Sequence, residues 1–558
     1  MRSEISHSNR VRRHSLLLVL CLSVSSFSAA AGPLRSGQFQ RPAASQNELD
    51  KAADLMRSGN MIEAESVVRA ILKTDARNAA ALTLLGVILS QRGNQAQAES
   101  ELRQALRIDP KFVPALTNLG VLLSGMKRSD EAIASFETAL RYAPDHRDAQ
   151  YNLAVLYVQT RKFEPAVSLL HRLVGAAGGV ESADLPIVLA LVNAYVGARQ
   201  VQNAMQLADV IERRGANDPR VLFTLGLSLV DAQQYERAAR LFERTNELRP
   251  NSYEVLYNLG LALINSDQLD RARPILQTAA TVDPQQPDVF YRLGLIAAAK
   301  GESENALGLW QRTVLLRPNY PEAYFVMAEE LVKHQRNERA IPLYEKAIQQ
   351  DATEPIYHTR LGVAYFRARR YSEARESFSK AAKLVPENGT LHYLVGYAAR
   401  AEGQFDLAQR EFEQSIKFDP NNAGAYANLG FFAVERGDTP EGERLLRRAL
   451  ELEPDNYPAT YDLGRLFVRL RRYDEAVKLL KRGAEMNKED PGVHYQLFLT
   501  YSRQNAKPDA DRELALFKSL EEARKSREAG SGMADSTKNQ LPAPESAGSV
   551  SSKQRPQL

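Results

Sequence analysis

Residues 81–110 read ALTLLGVILSQRGNQAQAESELRQALRIDP, and residues 115–144 read ALTNLGVLLSGMKRSDEAIASFETALRYAP. The two segments share a Leu-Gly pair, an alanine twelve residues after the glycine and a closing proline, all at a spacing of 34 residues. The pattern continues in both directions along the 558-residue chain. The glycine recurs at Gly86, Gly120, Gly226, Gly260, Gly294, Gly362, Gly396, Gly430 and Gly464. A fixed period of this length indicates an array of short structural repeats.

Each repeat carries two amphipathic stretches. Apolar residues recur at spacings of three and four over about 13 residues, and do so again after a polar break, which is typical of two helices. Around Gly260 the pattern predicts helices near residues 254–266 and 270–282. One pair of such helices cannot bury its apolar face alone, so neighbouring pairs must stack into a continuous elongated core.

The pattern resembles that of the tetratricopeptide-repeat family, with Leu-Gly, alanine and proline at fixed offsets in 34 residues. The resemblance covers residues 45–524 in about fourteen repeats, and implies an all-α, right-handed superhelical solenoid of antiparallel helix pairs. Five repeats replace the glycine, with Ala52, Ala154, Val192, Ala328 and Phe498. At Val192 and Phe498 we expect looser or altered packing. The spacing from Ala154 to Val192 is four residues longer, which predicts an insertion near residues 175–184.

Several polar residues stand where the second helices are predicted to begin. Asp270, and likewise Asp130, Ser372, Asp406 and Asp474, are predicted to cap these helices. Pro274 and Pro342 follow such caps by four residues. The sequence therefore predicts that both prolines lie where no backbone hydrogen bond is lost.

The two ends of the chain differ from the array. Residues 1–31 combine basic Arg10, Arg12 and Arg13, an apolar run from Leu16 to Leu22 and Ala29-Ala30-Ala31, which predicts a cleavable export signal. An uncleaved anchor and a twin-arginine signal are the weaker alternatives. We expect a linker at 32–44 and a disordered tail at 525–558. Cleavage would remove Cys21, the single cysteine.

The charge distribution bears on the kind of partner. The chain has a net charge of +4, and residues 1–31 contribute +3 of it, which leaves +1 for the rest. Nucleic-acid binding draws its affinity from dense lysine and arginine, so this near-neutral body argues against it. We therefore expect no nucleic-acid partner, and no transmembrane span in the mature protein.

No motif for catalysis, nucleotide binding or metal binding is present in the sequence, which predicts a non-enzymatic protein without catalytic residues, metal or cofactor. His358, His392 and His494 share one repeat position. Ligands one repeat apart would lie about 10 Å from each other, too far to share an ion, so packing is the favoured interpretation.

The first helices carry the candidate binding residues. If the geometry of the family holds, the residue three before the glycine faces an inner groove, and a neighbouring amide can hold an extended peptide. The alternative is that these rings only pack the helices together. The proposed groove residues are Tyr151, Phe223, Tyr257, Tyr291, Phe325, Tyr393, Tyr461 and Tyr495, with Asn118, Asn152, Asn258 and Asn428.

A basic stripe is predicted toward the C-terminal half of the same surface. It would meet an acidic partner, although cations also favour helix C-termini without any ligand. Its members are Lys333, Arg360, Arg367, Arg400, Arg469 and Arg503. The family includes chaperone-binding members that grip a C-terminal carboxylate. Here Val87 and Val121 occupy positions of that residue set, so the sequence does not predict this role.

Taken together, these features predict a non-catalytic protein–protein interaction scaffold, exported to the periplasm or cell envelope, that binds extended peptides or domains in its concave groove. The alternative is a periplasmic component of a polysaccharide secretion machine, because aromatic rings also stack on sugars and polysaccharide is a possible ligand.

Overall fold

The computed structural model describes residues 43–531, and this part of the chain is built from helices without a strand. The helices, numbered in chain order, are α1 Ala43–Arg57, α2 Met61–Thr74, α3 Ala79–Gln91, α4 Gln95–Ile108, α5 Val113–Gly125, α6 Ser129–Tyr142, α7 Arg147–Gln159, α8 Phe163–Ala176, α9 Leu185–Gly197, α10 Val201–Arg214, α11 Pro219–Asp231, α12 Tyr235–Leu248, α13 Tyr253–Asn265, α14 Leu269–Val282, α15 Pro287–Ala299, α16 Ser303–Leu316, α17 Pro321–Lys333, α18 Asn337–Gln350, α19 Pro355–Arg367, α20 Tyr371–Leu384, α21 Gly389–Glu402, α22 Phe405–Phe418, α23 Ala423–Glu435, α24 Thr439–Leu452, α25 Tyr457–Arg469, α26 Tyr473–Met486, α27 Pro491–Arg503 and α28 Lys507–Ser531.

These helices form fourteen consecutive pairs, each of an odd-numbered first helix and an even-numbered second helix. The predicted all-α solenoid of helix pairs is confirmed. The described part of the chain divides into two compact units, residues 43–296 and 297–531. Within each unit the two helices of a pair pack together, and first helices of neighbouring pairs also touch, as α3 does with α5 and α23 with α25.

The repeated glycine lies where the two helices of a pair cross. In the pair α19–α20, a Cβ atom on Gly362 would come within 2.5 Å of the fully buried ring of Phe378, sixteen residues further on. Only a hydrogen fits there. The same crowding occurs at Gly86, Gly120, Gly226, Gly260, Gly396, Gly430 and Gly464, against Leu102, Phe136, Phe242, Leu276, Phe412, Leu446 and Leu480.

In the pair α9–α10 the larger side chain lies at the glycine position and the smaller one lies sixteen residues later, the reverse of the pairs that have glycine there. Val192 takes the glycine position, and Ala208 takes the position that a larger apolar or aromatic residue, most often leucine or phenylalanine, holds in the other repeats. Both side chains are fully buried. The altered packing expected at Val192 is therefore a swap of large and small residues, which conserves the buried volume. At Phe498 the side chain is only half-buried.

The turn between the two helices of each pair has one conformation throughout. The seventh residue after the glycine position has a positive φ in all fourteen repeats, in the left-handed region. The residues are Gly59, Gly93, Lys127, Arg161, Arg199, Gln233, Asp267, Gly301, Gln335, Arg369, Gly403, Gly437, Arg471 and Asn505. The turn therefore accepts residues other than glycine, although a left-handed backbone destabilises each of them by about 1–2 kcal/mol relative to glycine.

The predicted caps of the second helices are wrong. Helix α14 begins at Leu269, its N-cap is Gln268, and the side chain of Gln268 makes no capping hydrogen bond. Asp270 lies inside the first turn, where its negative charge favours the helix dipole. Asp130, Ser372, Asp406 and Asp474 lie in the corresponding position of their helices.

Pro274 and Pro342 consequently lie two residues deeper in their helices than expected. Both lie inside their helices, α14 and α18. Because each is the sixth helical residue, it removes a bond to the carbonyl four residues earlier, contrary to the prediction. Side-chain caps are found on several first helices, where Asn78, Asn422 and Asn456 accept from backbone amides at 2.9–3.1 Å. The second helix α24 also has one, because Asp438 accepts from the backbone amide of Glu441 at 3.3 Å.

The extra residues between Ala154 and Val192 lie in the connection from α8 to α9. This connection spans residues 177–184. It is twice as long as the connection between the preceding two pairs, from α6 to α7, which spans residues 143–146. Helix α28 continues to Ser531, past the predicted start of the tail at residue 525. The predicted signal at 1–31, the linker up to residue 42 and the tail beyond Ser531 lie outside the described residues.

Candidate protein-binding surface

Three of the aromatic residues predicted for the groove are core residues. Tyr291, Phe325 and Tyr393 are 3%, 8% and 7% exposed. The ring of Phe325 has its centroid 5.0 Å from that of Tyr357 and 5.8 Å from that of Tyr344. Burial of these three rings favours the packing alternative over the groove prediction for them.

The other five rings reach solvent to different extents. Tyr151, Phe223, Tyr257 and Tyr461 are half-buried, and Tyr495 is exposed. Tyr257 stacks on Tyr253, one helical turn earlier, with a centroid distance of 5.6 Å and an interplanar angle of 14°. Each of these rings thus has one side against the fold and another at the surface of the first helices, which we call the first-helix face.

The amide residues predicted for the groove share one geometry. In each, Nδ2 donates to the backbone carbonyl four residues earlier at 2.8 Å. This bond holds the amide plane against its own helix. In Asn118, Asn152 and Asn258 the side chain is half-buried, while Asn428 is 6% exposed and accepts a hydrogen bond from Arg400 through Oδ1.

The members of the predicted basic stripe lie on five first helices, α17, α19, α21, α25 and α27. The Nζ atom of Lys333 lies 2.8 Å from Glu330 Oε2, and Arg360 Nε lies 3.6 Å from Glu329 Oε2. Arg367 lies on the same helix as Arg360, α19, and Arg503 ends α27, and both side chains are exposed. The structure brings Arg400 together with Arg465, which the sequence places close to the predicted stripe, and Arg469 lies one helical turn after Arg465 on α25.

Arg400 and Arg465 lie over the same aromatic ring. The guanidinium carbon of Arg400 is 4.4 Å from the ring centroid of Phe431, and that of Arg465 is 5.6 Å from it. The three residues come from helices α21, α23 and α25. We call Arg400, Asn428, Phe431, Glu435, Asp462, Arg465 and Arg469 the arginine cluster.

Two carboxylates belong to the arginine cluster. Glu435 is exposed, and its Oε1 lies 2.7 Å from Arg465 Nη2 and 3.7 Å from Arg469 Nη2. Asp462 is 8% exposed, and its Oδ1 lies 3.6 Å from Arg465 Nη2. Burial raises the pKa of Asp462 to about 6, although Arg465 and Arg400 favour its charged form. Asp462 is therefore a carboxylate that titrates near neutral pH.

A second polar cluster, which the sequence did not indicate, joins α16 to α17. The Oγ atom of Ser303 lies 2.5 Å from Glu330 Oε1 and 2.8 Å from His334 Nε2, beside an open pocket of about 450 Å³. Burial alone would raise the pKa of Glu330, but hydrogen bonds from Lys333 and Ser303 outweigh it and keep that pKa below its usual value.

The geometry of this cluster differs from that of a catalytic triad. In a triad the carboxylate bonds one ring nitrogen of histidine and the serine bonds the other. Here Glu330 Oε1 lies 3.6 Å from His334 Nε2, the same nitrogen that contacts Ser303, and it also accepts from the serine. An ionised carboxylate on Ser303 Oγ ties up the hydroxyl proton. The cluster therefore joins two repeats through hydrogen bonds.

The three histidines that share a repeat position are packing residues. His392 Nδ1 lies 2.7 Å from Glu411 Oε2, and His494 Nδ1 lies 2.7 Å from Glu513 Oε2, in each case across one helix pair. His358 Nε2 contacts the carbonyl of Ala352 at 3.1 Å. Among the described residues, no group of three or more histidine, cysteine, aspartate or glutamate side chains could hold a metal ion.

Comparison with known families agrees with the repeat architecture. Profiles described as tetratricopeptide repeat match residues 49–111, 101–134, 123–180, 229–299, 325–389, 390–422, 411–444 and 433–500. Stacked helix pairs with a polar first-helix face define a repeat scaffold of the kind that binds other proteins. The chain belongs to the tetratricopeptide-repeat family.

Solved structures with a similar fold are distant in sequence. The C-terminal part of a TPR repeat-containing protein from Cytophaga hutchinsonii is 20% identical, with a TM-score of 0.40, over 42% of this chain and 97% of that chain. Naa15/Naa10 bound to HypK-THB is 15% identical, with a TM-score of 0.32, over 88% and 98%. The APC/C hetero-tetramer Cut9–Hcn1 is 12% identical, with a TM-score of 0.35, over 82% and 96%. No curated protein matches the sequence.

Proposed function

We propose that this protein is an exported scaffold that binds partner proteins on its first-helix face, in the periplasm or cell envelope. The observation that carries the proposal is the row of half-buried amides and rings on that face, held in place by their own helices. Asn118, Asn152 and Asn258 each use Nδ2 on their own backbone, so the amide is oriented before a partner arrives.

Such preorganisation suits the binding of an extended peptide. An amide oxygen can accept from a peptide N–H, and each contact made on a fixed side chain costs little ordering entropy. Repetition then adds weak contacts along the array. Export is supported by the composition of residues 1–31, with basic residues before an apolar run. Within the described part of the chain, no helix has the length and apolarity needed to cross a membrane.

The binding surface can be tested with a triple variant, Asn118→Ala, Asn152→Ala and Asn258→Ala. Alanine is the best helix former, so the helices remain, and only the oriented amides are lost. The full chain and the variant are used to capture crosslinked proteins from an envelope extract, with quantitative mass spectrometry as the readout. We expect a defined set of proteins with the native chain and its loss with the variant.

A matched control removes three exposed amides from second helices, with Gln97→Ala, Gln202→Ala and Gln277→Ala. This control is expected to retain the captured proteins. If the control loses them equally, or the first-helix variant keeps them, the assignment of the binding face is wrong. Recovery of glycan without protein would favour the polysaccharide-secretion function instead.

Export has its own test. The N terminus of the protein purified from cells, determined by mass spectrometry, is expected at Gly32, and cell fractionation is expected to place the protein with periplasmic or envelope markers. An intact N terminus on a protein that fractionates with the cytosol would contradict export while leaving the scaffold function untouched.

A further inference from the structure

The arginine cluster is a local concentration of positive charge on an otherwise near-neutral molecule. We propose that Arg400, Phe431 and Arg465 form a binding site for a carboxylate group of an acidic protein segment, and that Asp462 competes for the same guanidinium groups. This inference rests on the proposed scaffold function and assigns one subsite and one ligand chemistry to it.

The first step of the argument is the state of Arg400. In the described part of the chain it forms no ion pair, and its polar partner is the neutral amide of Asn428. Its guanidinium also lies on the ring of Phe431, which favours a cation but leaves its charge in place. The half-buried guanidinium of Arg400 has five N–H donors, of which one bonds Asn428, so further donors can bind a ligand.

The second step is the balance of charge around it. Arg400, Arg465 and Arg469 supply three positive charges, while Glu435 supplies one negative charge and Asp462 a second only when ionised. The cluster therefore keeps a net positive charge at every pH at which proteins are folded. Charge complementarity selects an anionic ligand.

The third step is the shape of the donor groups. Planar guanidinium groups match carboxylates through paired hydrogen bonds. Phe431 is half-buried between the two arginines and offers an apolar wall to the methylene groups of a glutamate side chain. A carboxylate on a peptide that lies along the first-helix face satisfies all three residues.

Asp462 makes the site sensitive to pH. The charged or titratable groups that face it are Arg400 from α21, Glu435 from α23, and Arg465, Tyr461 and Tyr457 from its own helix. Asp490, the N-cap of α27, faces the two tyrosines. From α27 the neutral Gln496 faces Tyr461. Because burial brings the pKa of Asp462 to about 6, it is charged at pH 7.5 and largely neutral at pH 5. Ligand glutamates, with a pKa of about 4.3, remain ionised at both pH values.

The register of the repeats supplies a clean variant. Asp462 stands at the repeat position that Asn118, Asn152, Asn258 and Asn428 hold elsewhere. Asp462→Asn therefore installs a side chain that the fold already accommodates at this position, with Nδ2 able to donate to the carbonyl of Pro458. The change removes the internal competitor and leaves the arginines.

The experiment measures binding of the full chain to short fluorescein-labelled peptides by fluorescence anisotropy. The probes are a glutamate peptide with an amidated C terminus, the matching glutamine peptide, and a glutamine peptide with a free C-terminal carboxylate. We expect the glutamate peptide to bind, with affinity that rises from pH 7.5 to pH 5. Arg400→Gln and Arg465→Gln should each weaken it about tenfold, which equals about 1.4 kcal/mol.

Two further variants sharpen the result. Arg444 is an exposed residue of α24 that pairs with Glu441. Arg444→Gln removes one positive charge, as Arg400→Gln and Arg465→Gln do, and should leave binding unchanged. Asp462→Asn should tighten binding at pH 7.5 and flatten the pH dependence. If only the peptide with the free C-terminal carboxylate binds, the carboxylate site is supported, and its ligand is the C terminus of a chain instead of a glutamate side chain.

The proposal is overturned if Arg444→Gln weakens binding as much as Arg465→Gln, if Asp462→Asn has no effect on affinity, or if neither carboxylate peptide binds the native chain or Asp462→Asn. In each case capture of partner proteins through Asn118, Asn152 and Asn258 would still support the scaffold function. If that capture is lost while the glutamate peptide binds as expected, the carboxylate site is supported and the proposed scaffold function is contradicted.

Discussion

At the scale of single residues, two positions show how strongly the helix pairs constrain side chains. Gly362 faces a fully buried phenylalanine at a distance that admits no Cβ atom, whereas Gly308, on the exposed side of α16, has nothing within 4 Å. The same amino acid is thus required for close packing in one place and is only a weak helix former in the other.

Replacing these two glycines should have opposite effects. Gly362→Ala is expected to destabilise the protein by about 1–3 kcal/mol, because the ring of Phe378 has no free volume into which it can move. Gly308→Ala should stabilise it by up to about 1 kcal/mol, because alanine loses less entropy in a helix. Urea unfolding followed by circular dichroism measures both. Equal effects of the two changes would contradict the packing argument.

The buried carboxylate of Asp462 carries its charge at a cost in folding free energy, because burial disfavours the ionised form. Its pKa of about 6 lies above the value of about 3.9 for an unfolded chain, so the folded state binds a proton more tightly. Stability from this group is fully present below about pH 4 and is lost as pH rises through 6. The buried charge therefore weakens the fold at neutral pH.

Asp462→Asn should remove this pH dependence. At pH 7.5 the variant is expected to be more stable by up to about 3 kcal/mol, the equivalent of two pKa units. The difference should shrink through pH 6 and vanish below about pH 4. Thermal unfolding midpoints of both proteins across this range provide the measurement. A stability difference that stays constant with pH would show that Asp462 does not titrate as described.

At the scale of elements, the turn within each helix pair recurs with a left-handed residue in all fourteen repeats. The chain uses glycine there in some repeats and lysine, arginine, glutamine, asparagine or aspartate in others. Short turns with a fixed geometry hold the two helices antiparallel, and the left-handed residue reverses the chain direction after the first helix. Backbone geometry, and not side-chain contact, is the requirement at this position.

Gly93 and Gly125 allow the effect of backbone geometry to be separated from that of side-chain contact. Neither has an atom within 4 Å of an added Cβ, but Gly93 has a φ of +83° and Gly125 is helical. Gly93→Ala is expected to cost about 1–2 kcal/mol because of left-handed strain. Gly125→Ala should be neutral or stabilising. Chemical denaturation of both variants tests this, and the prediction fails if Gly93→Ala is as well tolerated as Gly125→Ala.

At the scale of the whole molecule, stability is distributed along the array. Each repeat contacts its neighbours in sequence, so stability is approximately a sum of local terms. The chain contains two compact units, 43–296 and 297–531 in the described range. A single free energy of unfolding is then a poor description, and a local defect should act mainly on its own unit.

Hydrogen–deuterium exchange can measure this locality. Gly362→Ala lies in the second unit, so peptides from residues 297–531 should lose protection while those from 43–296 keep the protection of the native chain. The Gly308→Ala variant should leave both patterns close to native. A uniform loss of protection along the whole chain would indicate that the array unfolds as one cooperative body.

The sequence by itself determined the repeat and its helices. Glycine, alanine and proline recur at a fixed period, and the apolar residues recur at helical spacing, so the helix pairs and their number follow from local patterns. The helix starts were harder to predict. Asp270 looks like a cap, but the backbone turn around Asp267 starts α14 earlier and places Asp270 and Pro274 inside it.

Only the tertiary structure decided which side chains form a surface. Phe325 and Tyr257 occupy the same repeat position, yet the first is buried between two other rings and the second is half-exposed, because their neighbours in adjacent repeats differ. Arg400, Phe431 and Arg465 are spaced about one repeat apart, and a one-dimensional pattern does not reveal that they converge. Stacking of repeats brings residues of three helices to one point, and the burial of Asp462 beside them depends on that same stacking.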